Sequence, residues 1–309
     1  MPLDRDVAEM LTGLAALGAP ALSEGTVAEA RANYDGAPKP IGDVLERVED
    51  RTIPGPAGEI PVRLYANTHD SNLPIVVFFH GGGWVLSSVD GHDALARRIA
   101  DRSGAVVVSV DYRLAPEHPF PAPHDDCWAA SAWLAEHGAQ WGGDPSRLAV
   151  CGDSAGGNLA AGVAIRARDE GVQLALQALI YPCIDDRQDG YPSMTENAEG
   201  YFLAAADMVW FWDRFVPGEH RSDPKAVPAR CDQLAGLAPA YVQTAEFDPL
   251  RDEAELYAGR LAEAGVPVMV DRYPGVVHGF VSRWHVISRA EQAHDDLAAA
   301  LSKAFTPQS

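Results

Sequence analysis

A chain of 309 residues with 47% hydrophobic composition can bury a full core as one large domain, with room for a small appendage. Its formal net charge of −20, from 24 basic and 44 acidic residues, makes nucleic-acid phosphates and anionic membrane surfaces poor partners. Cys127, Cys151, Cys183 and Cys231 fit neither a zinc spacing nor a small disulfide framework, so reduced, mostly buried thiols and a cytoplasmic location are expected.

The stretch 11–22 is apolar enough to suggest a signal peptide, but Asp4, Asp6 and Glu9 precede it where a basic patch belongs. Val7, Met10, Leu11, Leu14 and Leu17 fall at helical spacing and predict an amphipathic helix. No apolar run approaches the length that spans a bilayer. Residues 48–53 and 60–65 predict an antiparallel hairpin around Pro54-Gly55-Pro56-Ala57-Gly58. The continuous apolar run 75–79 predicts a strand covered on both faces, and 105–110, 148–151, 174–181, 240–245 and 268–272 repeat that pattern. Helical segments fall between most of them, at about 94–102, 127–137, 158–169, 253–264 and 288–304. The fold class is therefore α/β, a mostly parallel sheet with helices on both faces.

One segment interrupts the alternation. Residues 185–230 are polar, turn-rich and aromatic, with a helical core at 204–215 where Met208, Phe211, Trp212 and Phe215 share a face. Core packing of an inserted helix explains that stripe; an insertion on the ligand side of such a sheet can also form a lid. The expected division is N-terminal helices in 1–45, core in 46–184, insertion in 185–230 and core again in 231–309. Tyr201, Phe202 and Trp210 are candidate acyl-chain contacts, and Trp84 joins them as a candidate substrate contact.

The chemistry centres on Gly152-Asp153-Ser154-Ala155-Gly156, G-x-S-x-G between a strand and an alanine-rich helix. A sharp turn there strains the serine backbone, and a side chain at either glycine would collide with a neighbouring element. The turn holds the Ser154 hydroxyl clear of the sheet, beside free N–H groups of the helix start. An N-cap serine in a glycine-rich helix start is the plainer alternative.

A serine nucleophile needs a base, an orienting acid and oxyanion donors. His278, His285 and His294 lie in the right order; His278 follows the strand 268–272 through a short turn at Pro274 and Gly275 and is the expected base. Asp248, directly after the strand 240–245, is the expected acid. Glu246 should still lie along that strand, and Asp252 and Glu253 should open the next helix as ordinary dipole compensation. Donors should come from Ala155 and from His80-Gly81-Gly82-Gly83-Trp84, where three glycines let N–H groups approach a substrate oxygen. His80 reads as a loop-organising hydrogen-bond partner. Arg113 and Glu117, in a proline-braced block at 111–122, could pair and brace the glycine loop, although a surface loop with unpaired charges fits equally well. Asp153 is either structural or electrostatic, and the residues alone leave both open.

Taken together, His80-Gly81-Gly82-Gly83-Trp84, the elbow through Asn158, Asp111-Tyr112-Arg113-Leu114-Ala115-Pro116-Glu117-His118-Pro119-Phe120-Pro121-Ala122, Asp248-Pro249-Leu250-Arg251-Asp252-Glu253 and His278-Gly279-Phe280 resemble the hormone-sensitive-lipase-like branch (bacterial family IV) of the α/β-hydrolases. The likeness runs from about residue 50 to the C-terminus. It implies a carboxylesterase with a Ser154, Asp248, His278 triad and an oxyanion hole from the N–H groups of Gly82, Gly83 and Ala155. It also implies a cap from the N-terminal helices and the insertion, a preference for short to medium acyl chains, and no metal or cofactor. The partner is then a small-molecule ester, and a homodimer stays open. An amidase or lactonase on the same scaffold remains an alternative. So, more remotely, does a non-catalytic receptor like the plant gibberellin receptors, which lack the histidine that His278 supplies.

Overall fold

The computed structural model describes residues 2–18, 22–187 and 189–306. Residues 19–21 of the apolar stretch 11–22 and Gln188 of the insertion lie outside them. Eight strands make one sheet: β1 (Arg47–Gly55), β2 (Gly58–Ala66), β3 (Leu73–Phe79), β4 (Val106–Val110), β5 (Gly143–Asp153), β6 (Leu176–Ile180), β7 (Ala240–Phe247) and β8 (Val268–Val277). Their order is β1-β2-β4-β3-β5-β6-β7-β8, antiparallel from β1 to β4 and parallel thereafter. The hairpin is tighter than its prolines suggested: Gly55 pairs with Gly58, leaving Pro56 and Ala57 as the loop.

The α-helices are α1 (Arg5–Ala16), α2 (Val27–Gly36), α3 (Asp93–Ser103), α4 (Ala122–His137), α5 (Ala155–Glu170), α6 (Pro192–Glu196), α7 (Ala205–Phe215), α8 (Arg251–Glu263) and α9 (Ala290–Phe305), joined in places by short 3-10 turns. Strand pleating sends alternate side chains to two cores. Ile75, Val77 and Phe79 of β3 belong to the core shared with α4, α5 and α8 on one face, while Val76 and Phe78 belong to the core shared with α1, α3 and α9 on the other. That double burial is why the central strands read as unbroken apolar runs. The N-terminal stripe is only partly spent. Val7 is buried, whereas Leu14 and Leu17 are 41% and 76% exposed.

The N-terminal segment and the insertion meet at the C-terminal edge of the sheet. The Ser23 N–H donates to Asp207 Oδ1 (3.1 Å), and α2 begins in a capping box between Thr26 and Glu29. Met208, Phe211, Trp212 and Phe215 of α7 are all buried, as their spacing required.

Close approach makes two glycines differ sharply in what they tolerate. A Cβ on Gly156 would stand 1.9 Å from the Phe79 carbonyl oxygen, whereas one on Gly259, within α8, would meet nothing within 4 Å. Gly156→Ala should lose about 3 kcal/mol or more through backbone displacement. Gly259→Ala should gain up to about 1 kcal/mol from helix propensity. Thermal unfolding of the two variants checks both signs.

Candidate active site

The turn between β5 and α5 puts Ser154 at φ +56°, ψ −118°, a region L-residues rarely occupy. Crowding holds it there: a Cβ on Gly152 would reach 2.2 Å from the Gly156 oxygen, and Gly156 itself abuts β3. Hydrogen bonds fasten the strained residue on both sides. The Ser154 N–H donates to Ile180 O (2.8 Å), and its carbonyl accepts from Asn158 (3.1 Å) and Cys183 (3.2 Å).

From this turn the Ser154 hydroxyl lies 2.9 Å from His278 Nε2, and His278 Nδ1 lies 2.7 Å from Asp248 Oδ2. Asp248 is fully buried, and its other oxygen accepts from the Leu250 N–H at 2.9 Å. An ionised carboxylate can only accept, so Nδ1 carries the imidazole proton and Nε2 is left to accept from the serine. Tyr181 packs over the imidazole, ring centres 4.6 Å apart. A hydroxyl, an imidazole and a carboxylate in this order can pass a proton away from the oxygen.

The route to His278 differs from the short turn expected. β8 continues through Pro274 and Gly275 to Val277, and its register against β7 shifts between Ala245 and Phe247. Gly275 takes φ +77° at this irregularity, and its N–H donates to Glu246 Oε2 (2.8 Å). An irregular strand, not a loop, therefore aims the imidazole. His294 packs in α9 against Trp284, with burial holding its pKa down to about 4, and His285 is exposed.

The glycine loop adjoins the elbow. The N–H groups of Gly82, Gly83 and Ala155 donate no hydrogen bond among the described residues. Gly82 and Gly83 take φ +115° and +59°. The Gly81 N–H donates to Asp153 Oδ1 (2.9 Å), and His92 Nε2 stands 3.3 Å from the same carboxylate. Burial alone would raise the Asp153 pKa, but His92 and the Gly81 N–H outweigh it and hold the group below its ordinary 3.8. Asp153 thus ties the glycine loop to the elbow. His80 Nδ1 lies 2.7 Å from the Gly81 oxygen, the Tyr112 hydroxyl donates to the His80 carbonyl (2.7 Å), and burial pushes the His80 pKa down to about 3.

Arg113 and Glu117 do not pair. Arg113 grips Asp126 of α4 with two nitrogens at 2.8 Å, and Glu117 binds Arg31 of α2 at 2.7 and 2.8 Å. Arg31 also donates to the carbonyls of Val85 and Ala115, so the 111–122 block does brace the glycine loop, but through α2. Glu253 is not ordinary dipole compensation. It is buried, accepts from the Ile184 (2.7 Å) and Asp185 (3.3 Å) N–H groups, and burial drives its pKa well upward. It anchors the start of the insertion.

The expected substrate contacts scatter. Trp84 is fully enclosed, stacked on Phe215 (4.2 Å) and tilted against Trp212 (4.5 Å); it joins the glycine loop to α7 rather than facing a ligand. Trp210 is buried beneath the Arg214 guanidinium, 3.6 Å from its ring centre. Tyr201 stacks on Phe247 at 5.0 Å. Phe202, 43% exposed, carries the Arg283 guanidinium 4.1 Å above its ring. Among the described residues, no group of three or more His, Cys, Asp or Glu side chains could hold a metal, and no helix is long and apolar enough to cross a membrane.

A mostly parallel sheet with a strained serine at the end of its fifth strand, and an acid and histidine after later strands, defines an α/β-hydrolase. Residues 76–282 match the family described as alpha/beta hydrolase fold. The chain is 46% identical over 267 residues to carboxylesterase NlhH of Mycobacterium tuberculosis (strain ATCC 25618 / H37Rv), covering 84% of this chain and 83% of that protein. It superposes on the hyperthermophilic esterase of the archaeon Pyrobaculum calidifontis with a TM-score of 0.93 at 42% identity, over 99% of this chain and 100% of that one. A thermostable esterase of Pseudomonas putida ECU1011 gives 0.94 at 35% identity, with 99% of both chains covered. This chain belongs to the hormone-sensitive-lipase-like family of α/β-hydrolases.

Asp153→Asn should destabilise the protein by about 1.5–3 kcal/mol at neutral pH, since it weakens charge-assisted bonds to Gly81 and His92. Because the native carboxyl is held below 3.8, its contribution is complete above that value and is lost as pH falls through the native pKa. The gap between wild type and variant should therefore close only below about pH 3.8. Urea unfolding across the acid range measures it.

Proposed function

We propose that this carboxylic ester hydrolase acts through an acyl-enzyme on Ser154, with His278 as general base and then general acid and Asp248 as its orienting carboxylate. The observation that carries this reading is the unbroken chain of short contacts from Asp248 through His278 to Ser154. His278 Nε2 takes the hydroxyl proton as Ser154 attacks the ester carbonyl, and the negative charge grows on the carbonyl oxygen. The undonated N–H groups of Gly82, Gly83 and Ala155 are the donors we assign to that oxyanion. The imidazolium next protonates the leaving alcohol. Asp248 keeps the proton on Nδ1 and stabilises the transient cation, and water then repeats the cycle on the acyl-enzyme.

The N-terminal helices and the 185–230 insertion form the cap in this reading, supported by their meeting at Ser23 and Asp207 and by the Phe211 ring against Gly83. A cap resting on the donor loop leaves a narrow pocket and favours short to medium acyl chains. Four free, buried cysteines suit a reducing compartment, and the cytoplasm is the location we propose.

Hydrolysis of p-nitrophenyl esters from acetate to palmitate tests both parts. Turnover should peak at short chains, and Ser154→Ala should lower kcat by several orders of magnitude, up to roughly 10⁶. A variant keeping a tenth of wild-type turnover would rule out the nucleophile. Gly82→Ala forces a Cβ to 2.4 Å from the Leu86 oxygen. The shift this imposes on the donor should cost about 10² or more in kcat; an unchanged kcat refutes that donor.

A further inference from the structure

In a chain with 44 acidic and 24 basic residues, an arginine near the site without an acid needs a reason. Arg283 lies five residues beyond His278, in the short turn after β8. Its Nη1 donates to the Gly279 carbonyl (2.7 Å) and meets Ser282 Oγ (3.3 Å), while Phe202 supports the guanidinium face at 4.1 Å. Among the described residues, Nε and Nη2 donate to nothing and no carboxylate forms an ion pair with it. Arg260 and Arg214 also lack ion pairs, but Arg260 spends two nitrogens on the Ala229 and Cys231 carbonyls, and Arg214 sits on Trp210 in the insertion.

The neighbours of Arg283 cannot neutralise it. Tyr34 and Tyr181 lie within its field but are phenols whose pKa burial raises, and Asp153 is committed to Gly81 and His92. Burial accordingly pulls the Arg283 pKa below its usual value, with Tyr34, Tyr181 and Asp153 offsetting this only in part. Arg283 is half-buried, so its uncommitted edge stays open to an incoming group while no carboxylate of the described residues contacts it directly.

We infer that Arg283 is a specificity-determining residue whose free guanidinium edge receives a carboxylate on the substrate, so that the enzyme favours esters carrying an anionic group. A planar fork with two uncommitted N–H donors matches a carboxylate, and Phe202 and the Gly279 carbonyl hold that fork in place. The inference rests on the ester-hydrolase reading and names its substrate class. The carboxylate can sit on the acyl side, as in a half-ester of a dicarboxylic acid, or on the alcohol side, as in an acylated hydroxy acid.

Matched pairs separate these. Initial rates by pH-stat titration compare monomethyl adipate with methyl pentanoate, and 4-acetoxybutanoate with butyl acetate, for the full-length wild type, Arg283→Met and Arg283→Lys. Arg283→Met should lower kcat/KM about 10- to 100-fold more for the charged member of one pair than for its neutral partner, chiefly through KM. Arg283→Lys should recover part of the loss. The responding pair identifies the side that bears the carboxylate. Raising ionic strength to about 0.5 M should shrink the wild-type preference. Equal losses on charged and neutral members of both pairs would assign Arg283 a purely structural role and overturn the inference, as would no loss at all. Wild-type turnover of neutral esters keeps the hydrolase reading intact in that event. If the wild type hydrolyses no ester of either kind, the hydrolase reading fails and this inference fails with it.

Discussion

The approach of α5 to the end of β3 governs everything at this site. Gly156 sits so near the Phe79 carbonyl that no side chain fits between them. That closeness brings the first turn of α5, the strained Ser154 and the start of the glycine loop into one small volume. Ser154 stays at a positive φ because bonds to Ile180, Cys183 and Asn158 over-determine its backbone. Relaxing the turn would lose the serine's reach to His278 and, in the proposed mechanism, the placing of the Ala155 N–H beside the glycine loop. One steric constraint thus positions both the serine and the glycine loop beside it.

Electrostatics secures what sterics begins. The chain is strongly acidic, yet Asp248 and Asp153, the carboxylates joined to the site by hydrogen bonds, are both committed. Asp248 faces His278 and the Leu250 N–H, and Asp153 faces His92 and the Gly81 N–H. Asp153 precedes the serine in sequence but spends its charge on a loop 72 residues away. Holding that carboxylate ionised in the interior is what couples the loop to the elbow. His80, driven neutral by burial, completes the loop as a hydrogen-bonding group and adds no competing charge.

Much of this was legible in the sequence because it follows from local pattern. Doubly buried strands must be apolar throughout, and Gly152 and Gly156 flank Ser154 because no other residue fits the turn. The partners of long charged side chains were not legible. Arg113 reaches Asp126, 13 residues on, and Glu117 reaches Arg31, 86 residues back, so neither finds the other. The strand irregularity at Gly275 looked like a turn because Pro-Gly marks both, and only pairing with β7 tells them apart. Trp84 stands beside the loop glycines, but its size serves packing against Phe215 and Trp212. Glu253 resembled a first-turn acid because its burial comes from the insertion folding back over it. Arg283 carried no signal at all, since a lack of partners is a property of the folded surroundings.

The groups proposed for the chemistry and those packed about the glycine loop and Arg283 come from different parts of the chain. Ser154, Asp248 and His278 stand at or just beyond the ends of β5, β7 and β8, where sheet pairing dictates their spacing. Tyr34, Phe202, Phe211 and Arg283 come from α2, the insertion and the turn after β8, which the sheet constrains far less. The two sets still touch. Phe211 lies where a Cβ on Gly83 would be, and Arg283 holds the carbonyl of the residue after His278. In the proposed mechanism, changes in the outer segments can therefore alter which ester fits without disturbing proton transfer, provided they respect those two contacts. Removing the Arg283 side chain also releases the Gly279 carbonyl, so a loss common to charged and neutral esters reads that contact, and the excess loss for charged esters reads recognition.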